Sequence, residues 1–155
     1  MRQRDPNKLP HLEHMLCFSV YASSLAFNQL YRGLIGRFGL TYPQFLVLVS
    51  LWAKDGQKVS ELGDILFLES NTLTPLLKRL EAAGLVSRKR DPKDERVVRI
   101  HLTDQGVALA MELDCVPPQV LEASHLPLSE AQALTSKLNT LALALRAHSQ
   151  PKTTA

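Results

Sequence analysis

The chain has 155 residues, 45% of them hydrophobic and 21% charged, a balance that can build a core and excludes the apolar depletion of a disordered chain. A net charge of +3 and a pI near 9.0 permit a nucleic-acid partner without demanding one. No apolar run approaches the roughly 20 residues of a bilayer span, the first ten residues lack a signal core, and Cys17 and Cys115 stand apart with no metal-ligand spacing. Together these features predict one cytoplasmic domain over residues 1–155, with no membrane partner, no metal and no cofactor.

In chain order, a first helix is expected over residues 9–37, with Leu12, Leu16, Val20, Phe27, Leu30 and Leu34 as its apolar stripe and Gly39 as its stop. Thr41 and Pro43 open a second helix carrying Phe45, Leu46, Leu48, Val49 and Trp52, apolar nearly all round and therefore central; Asp55-Gly56 ends it. Two short helices follow over 60–67 and 71–83, joined by Leu68-Glu69-Ser70, the spacing of a helix-turn-helix. In the second, Leu73, Leu76, Leu77 and Leu80 form one apolar face, Thr72, Lys78 and Arg79 point outward, and Gly84 stops the helix. Pro75 admits two readings: it removes a hydrogen bond one turn into the helix, or the helix begins near Thr72 and Pro75 lies in its first turn.

The period then changes to two. Val98, Ile100 and Leu102 alternate with Arg99 and His101, so residues 98–102 read as a half-buried strand paired with 85–89 across a charged tip, 90–95. This β-wing carries Arg88, Lys89, Arg90, Lys93, Arg96 and Arg99. Thr103 caps a helix running to about Cys115, where Val116-Pro117-Pro118 breaks it. A last helix over 129–148 sets Ala131, Leu134, Leu138, Leu141 and Leu145 in a seam that wants a partner helix, ahead of a frayed tail, 149–155. The fold class is mostly α: a winged helix-turn-helix lobe (41–103) with a two-stranded wing, between N- and C-terminal dimerisation helices (9–37 and 104–148).

A helix-turn-helix leading directly into a basic hairpin offers two contact elements to double-stranded DNA, polar side chains for base edges and cations for phosphates or the minor groove. The expected contacts are Asn71, Thr72, Thr74, Pro75, Lys78 and Arg79 on the helix, with Arg88, Lys89 and Arg96 on the wing. A second pattern lies on the first helix, where Cys17, Tyr21, Ser24, Asn28 and Tyr31 recur at steps of four and three. A lone cysteine on a helix is usually a small hydrophobe, but a thiolate that accepts hydrogen bonds from such hydroxyls has its pKa lowered. Tyr31, fourteen residues on and roughly 21 Å along the axis, cannot reach the Cys17 of its own chain. If the stripe is one site, Tyr31 comes from an antiparallel second subunit, and the seam of the last helix independently asks for a homodimer.

Asp91-Pro92-Lys93-Asp94-Glu95-Arg96, followed by a strand ending Leu102-Thr103-Asp104-Gln105-Gly106, resembles the wing of the MarR family, D-x-R ahead of L-T-x-x-G. Residues 70–81 are similar to the recognition helix of one branch, the organic hydroperoxide resistance repressors. Leu16-Cys17-Phe18-Ser19-Val20-Tyr21-Ala22-Ser23-Ser24, with Tyr31 and Leu40-Thr41-Tyr42-Pro43-Gln44, resembles the sensor region of that branch. The resemblance spans about residues 16–145. It implies that Arg96 reaches the minor groove, that Asp94 supports the wing, and that Cys17 is oxidised by organic hydroperoxide. It further implies that Tyr31 and Tyr42 arrive from the other subunit to bond the thiol, so that oxidation frees operator DNA. Two-cysteine members carry a resolving cysteine beyond the Val-Pro turn, whereas Cys115 precedes Val116-Pro117. A Cys17–Cys115 disulfide across subunits, a mixed disulfide with a small thiol, and overoxidation all stay open. The rival readings are a MarR-type repressor released by a small aromatic ligand, with Cys17 incidental, and a purely architectural DNA-binding protein. A thiol peroxidase would need a general base that the stripe lacks, so the chain is not expected to be an enzyme.

Overall fold

The computed structural model describes residues 11–149. By internal contacts the chain divides into a compact unit ending at Asp114 and a second beginning at Cys115.

The first unit opens on a 3-10 turn, Leu12–His14, and α1, Leu16–Ile35, then a second 3-10 turn, Gly36–Phe38. The expected start at Leu9 lies outside the described residues, and Met15, extended at ψ 118°, keeps the helix proper from beginning before Leu16. Gly39 takes the left-handed conformation at φ 68° and turns the chain into α2, Tyr42–Ala53. The α2 start follows the expected chemistry: Pro43 sits in the first turn, where no N–H is needed, and the Gln44 side-chain oxygen accepts from the Thr41 N–H at 2.8 Å. Phe45, Val47, Leu48 and Leu51 are buried, so α2 is central; Val49 and Trp52 are exposed, so it is not enclosed on every side.

Only one hairpin was expected, but a short extra strand, β1, Gln57–Lys58, pairs antiparallel with the wing and makes a three-stranded sheet. Gln57 explains it. Its buried amide donates to the carbonyls of Ser50 and Lys54, both at 2.8 Å, capping the end of α2 and holding β1 in place. α3, Val59–Leu66, and α4, Ser70–Ala82, each begin one residue earlier than expected. Their connection is tight because Phe67 adopts φ 58° and the Leu68 N–H donates to the Gly63 carbonyl at 2.9 Å. Leu73, Leu76, Leu77 and Leu80 are all buried, as the spacing requires, and Gly84 at φ 72° ends the turn after α4.

β2, Val86–Asp91, and β3, Asp94–Leu102, extend further than the expected strands, so the turn shrinks to Pro92-Lys93. The register sets Arg88 opposite Ile100 and Arg90 opposite Val98, with an irregularity at Arg90/Asp91. Thr103 caps α5, Asp104–Glu112, accepting from the Gly106 N–H at 3.0 Å. Gly106 is the glycine of L-T-x-x-G, and the reason for it is space: a Cβ there would lie 2.0 Å from the Leu85 carbonyl oxygen.

In the second unit, Val116-Pro117-Pro118 does not break a helix. After a 3-10 turn, Leu113–Cys115, it starts one, α6, Val116–Ser124, since prolines are tolerated in a first turn that needs no N–H partners. His125 at φ 54° ends α6, and α7 runs Leu128–Ser149, so Ser149, expected in the tail, is helical, and the rest of that expected tail lies outside the described residues. Among the described residues no single helix is long and apolar enough to cross a membrane.

Candidate nucleic-acid interface and thiol site

Burial of the four leucines fixes the roll of α4. Asn71, Thr72, Pro75, Lys78 and Arg79 are exposed on the other side and Thr74 is half-buried. The extended Glu69 at ψ 155° places the helix start at Ser70, so Pro75 lies beyond the first turn and the late-start reading is corrected. On the wing, Lys89 and Arg96 are exposed and Arg88 is half-buried. Asp94 accepts from the Arg96 backbone N–H at 3.1 Å, a local bond that sets the turn into β3.

The cross-element brace of the wing is a pair that sequence reading missed. Asp91 is buried; its carboxylate accepts from the Lys93 N–H at 2.8 Å and is paired with the guanidinium of Arg99. Arg99 also donates to the Gly56 carbonyl at 2.8 Å, tying the wing to the turn before β1. Arg99 therefore does not stand free among the cations of the wing, as its place in the basic run had suggested. The Asp-Pro step at the strand end was the available signal, because an aspartate there commonly accepts a turn N–H. A second tie lies at the wing base, where Asp55 accepts from the Leu102 N–H at 2.8 Å and contacts His101 Nδ1 at 2.8 Å.

Cys17 and Tyr21 are exposed near the start of α1, and the stripe through Ser24 and Asn28 runs along an unbroken helix, open to solvent in a single chain. At the far end, Tyr31 meets Tyr42 from α2, with ring centroids 4.3 Å apart and Phe45 packed against both. The structure thus brings the two tyrosines together and leaves Cys17 at the opposite end of α1. Burial, the neighbouring Tyr42 and a hydrogen bond to it push the Tyr31 hydroxyl up to about 12. Burial likewise raises Tyr42, partly offset by its bond to Tyr31. Both phenols stay protonated at neutral pH; one O–H is engaged in the bond between them, so one is left to donate to an anion, and the second becomes a donor only when that bond opens. Cys115 is exposed and is the first residue of the second unit.

The family described as transcriptional regulator SarA/Rot matches residues 29–113. The chain is 51% identical over 127 residues to the HTH-type transcriptional regulator TtmR of Methylorubrum extorquens, covering 82% of this chain and 65% of TtmR, so it spans just under two thirds of that relative. It is 42% identical to the organic hydroperoxide resistance transcriptional regulator of Bacillus subtilis over 137 residues, 87% of this chain and 93% of that one. Among solved structures, reduced AbfR bound to DNA superposes with a TM-score of 0.68 at 38% identity, covering 86% of this chain and 93% of that one. AbfR, known also from Staphylococcus epidermidis by that name, has in addition a disulfide-formed structure, at 39% identity and TM-score 0.60, covering 84% and 91%. On these matches and on its own fold, the chain belongs to the MarR family of winged helix-turn-helix, DNA-binding transcriptional regulators, in the branch of the organic hydroperoxide resistance regulators.

Proposed function

We propose that the protein is a redox-sensing repressor that binds operator DNA as a homodimer and lets go when Cys17 is oxidised by an organic hydroperoxide. The observation that carries the reading is the separation on α1: an exposed thiol at one end, and two protonated, mutually bonded phenols at the other. The phenols lie roughly 21 Å from the thiol of their own chain along the helix. Two copies crossing antiparallel through α1 set each Cys17 beside the partner's phenols, where the free O–H donates to the sulfur, and the second does so once the bond between the phenols opens; such donors stabilise a thiolate. The thiolate attacks one peroxide oxygen, the O–O bond breaks, and an alkoxide leaves to take up a proton as alcohol. Sulfur, oxidised by two electrons, becomes a sulfenic acid; a thiol then attacks it, water departs, and a disulfide forms.

Oxidation removes the anionic acceptor and adds atoms at a dense interface, so the tyrosines and the lobes that carry them shift. A specific complex holds an advantage of only about 4–10 kcal/mol over random DNA, and a modest misfit between two recognition helices that must meet major grooves about 34 Å apart removes much of it. The similarity to a hydroperoxide resistance regulator and to AbfR, which has reduced and disulfide-formed structures, supports this chemistry.

The test is operator binding before and after an organic hydroperoxide, then with dithiothreitol. The parent should release DNA and recover it on reduction. Cys17→Ser should bind normally and ignore the peroxide, and Cys115→Ser should lose only the disulfide or its reversibility. A Cys17→Ser protein that still lets go would sink the reading and favour a ligand-released repressor.

A further inference from the structure

We propose that Pro75 determines specificity through the backbone: it leaves the Asn71 carbonyl without its helical donor and so offers an acceptor to the exocyclic amine of adenine or cytosine in the major groove. This rests on the reading of α4 as the recognition helix.

Pro75 is the sixth residue of a helix that begins at Ser70, so the bond it deletes is an interior one, from N–H of 75 to C=O of 71. The position on the helix matters as much as the deletion. At about 100° per residue, Leu73, Leu76, Leu77 and Leu80 cluster around one direction, and Asn71, Pro75 and Lys78 fall within about 60° of one another on the opposite side. The leucines are buried, and Asn71, Pro75 and Lys78 are exposed. The gap in the hydrogen-bond ladder therefore lies at the centre of the face that α4 turns outward. A helix interior gives no reason for this residue, since proline there costs about 3 kcal/mol against alanine.

A bare carbonyl accepts and cannot donate. In the major groove the exocyclic donors are adenine N6 and cytosine N4, while guanine O6 and thymine O4 are acceptors that would face the carbonyl lone pairs. The expected signature is one position in each half-site, on one strand, where an amino base is required and a keto base is rejected. Because the reader is main chain, the preference does not depend on the side chain of residue 71.

The experiment uses the full-length protein and duplexes that it selects from a randomised pool. In these, single adenines are replaced by purine and single cytosines by 2-pyrimidinone, each deleting one exocyclic amine. The parent should lose about three- to tenfold in affinity at one amine per half-site. Pro75→Ala restores the N–H donor; it should melt higher than the parent and show no loss at that position while keeping the other preferences. Asn71→Ala should retain the parent's sensitivity there. The proposal is overturned if Pro75→Ala loses affinity as the parent does, if its preferences relax evenly across the half-site, or if Asn71→Ala abolishes the effect. Thr72→Ala separates the two levels: if it and Pro75→Ala both bind with the parent's profile, α4 does not read the groove and the underlying reading fails. If only Pro75→Ala does, this inference alone fails.

Discussion

A single buried carboxylate decides the shape of the wing. Asp91 accepts from the Lys93 N–H and pairs with Arg99, which in turn holds the Gly56 carbonyl. The Lys93 bond and then Arg99 hold this carboxyl below the usual range. For Asp55, burial pushes upward, but the Leu102 N–H and His101 outweigh it and the net direction is also down. A carboxyl depressed in the folded state stabilises fully above the ordinary value of about 3.9, and that stability is lost as pH falls through it towards the folded value. Thermal melting should therefore drop as pH is lowered from about 5 to about 3, and Asp91→Asn should lower the midpoint at neutral pH while flattening the acid slope. An unchanged slope would mean that Asp91 does not brace the wing. Only the turn bond was legible beforehand, from the Asp-Pro step; Arg99 read as one cation among several, because its partners Asp91 and Gly56 lie eight and 43 positions away and meet it only once β1, β2 and β3 are paired.

The two halves of the proposed DNA-binding surface, α4 and the wing, should fail differently. Arg96, exposed on β3, contributes charge; Arg96→Ala should weaken binding to all sequences and reduce the magnitude of the slope of log affinity against log salt by about 1. Thr72→Ala should instead relax sequence preference at nearly the parent's salt slope. Either protein binding like the parent would remove that residue from the surface. The elements carrying these residues could be read from the chain because their periods are strong: four leucines for α4, alternation for β3. Weak or ambiguous signals misled. β1 has only two residues, too few for a period, and exists because Gln57 is buried under α2. The paired prolines at 117 and 118 mark a helix start as readily as a helix end, and only the turn before them decides which. The wing tip looked six residues long because its charges mimic a loop, whereas the backbone stays paired to Asp91 and Asp94.

For the whole molecule, the apolar seams remain open in one chain. Leu12, Leu16 and Val20 near the start of the described residues, and Leu134, Leu138 and Leu145 on α7, are all exposed, and a seam of this kind on two long helices is the ordinary mark of a subunit interface. Sedimentation at micromolar concentration should give about twice 17.3 kDa; a stable monomer would leave the thiol with no phenols in reach.

In the proposed switch each sensor site is assembled from Cys17 of one subunit with Tyr31 and Tyr42 of the other, and mixed dimers decide whether it is. One dimer pairs a Cys17→Ser chain with a Tyr31→Phe/Tyr42→Phe chain; the other carries all three substitutions on one chain beside a parent chain. Shared sites leave one intact sensor in the first dimer and none in the second, so sulfenic acid formation with organic hydroperoxide should be fast in the first and slow in the second. The reverse order, or equal rates, would contradict a site shared between subunits.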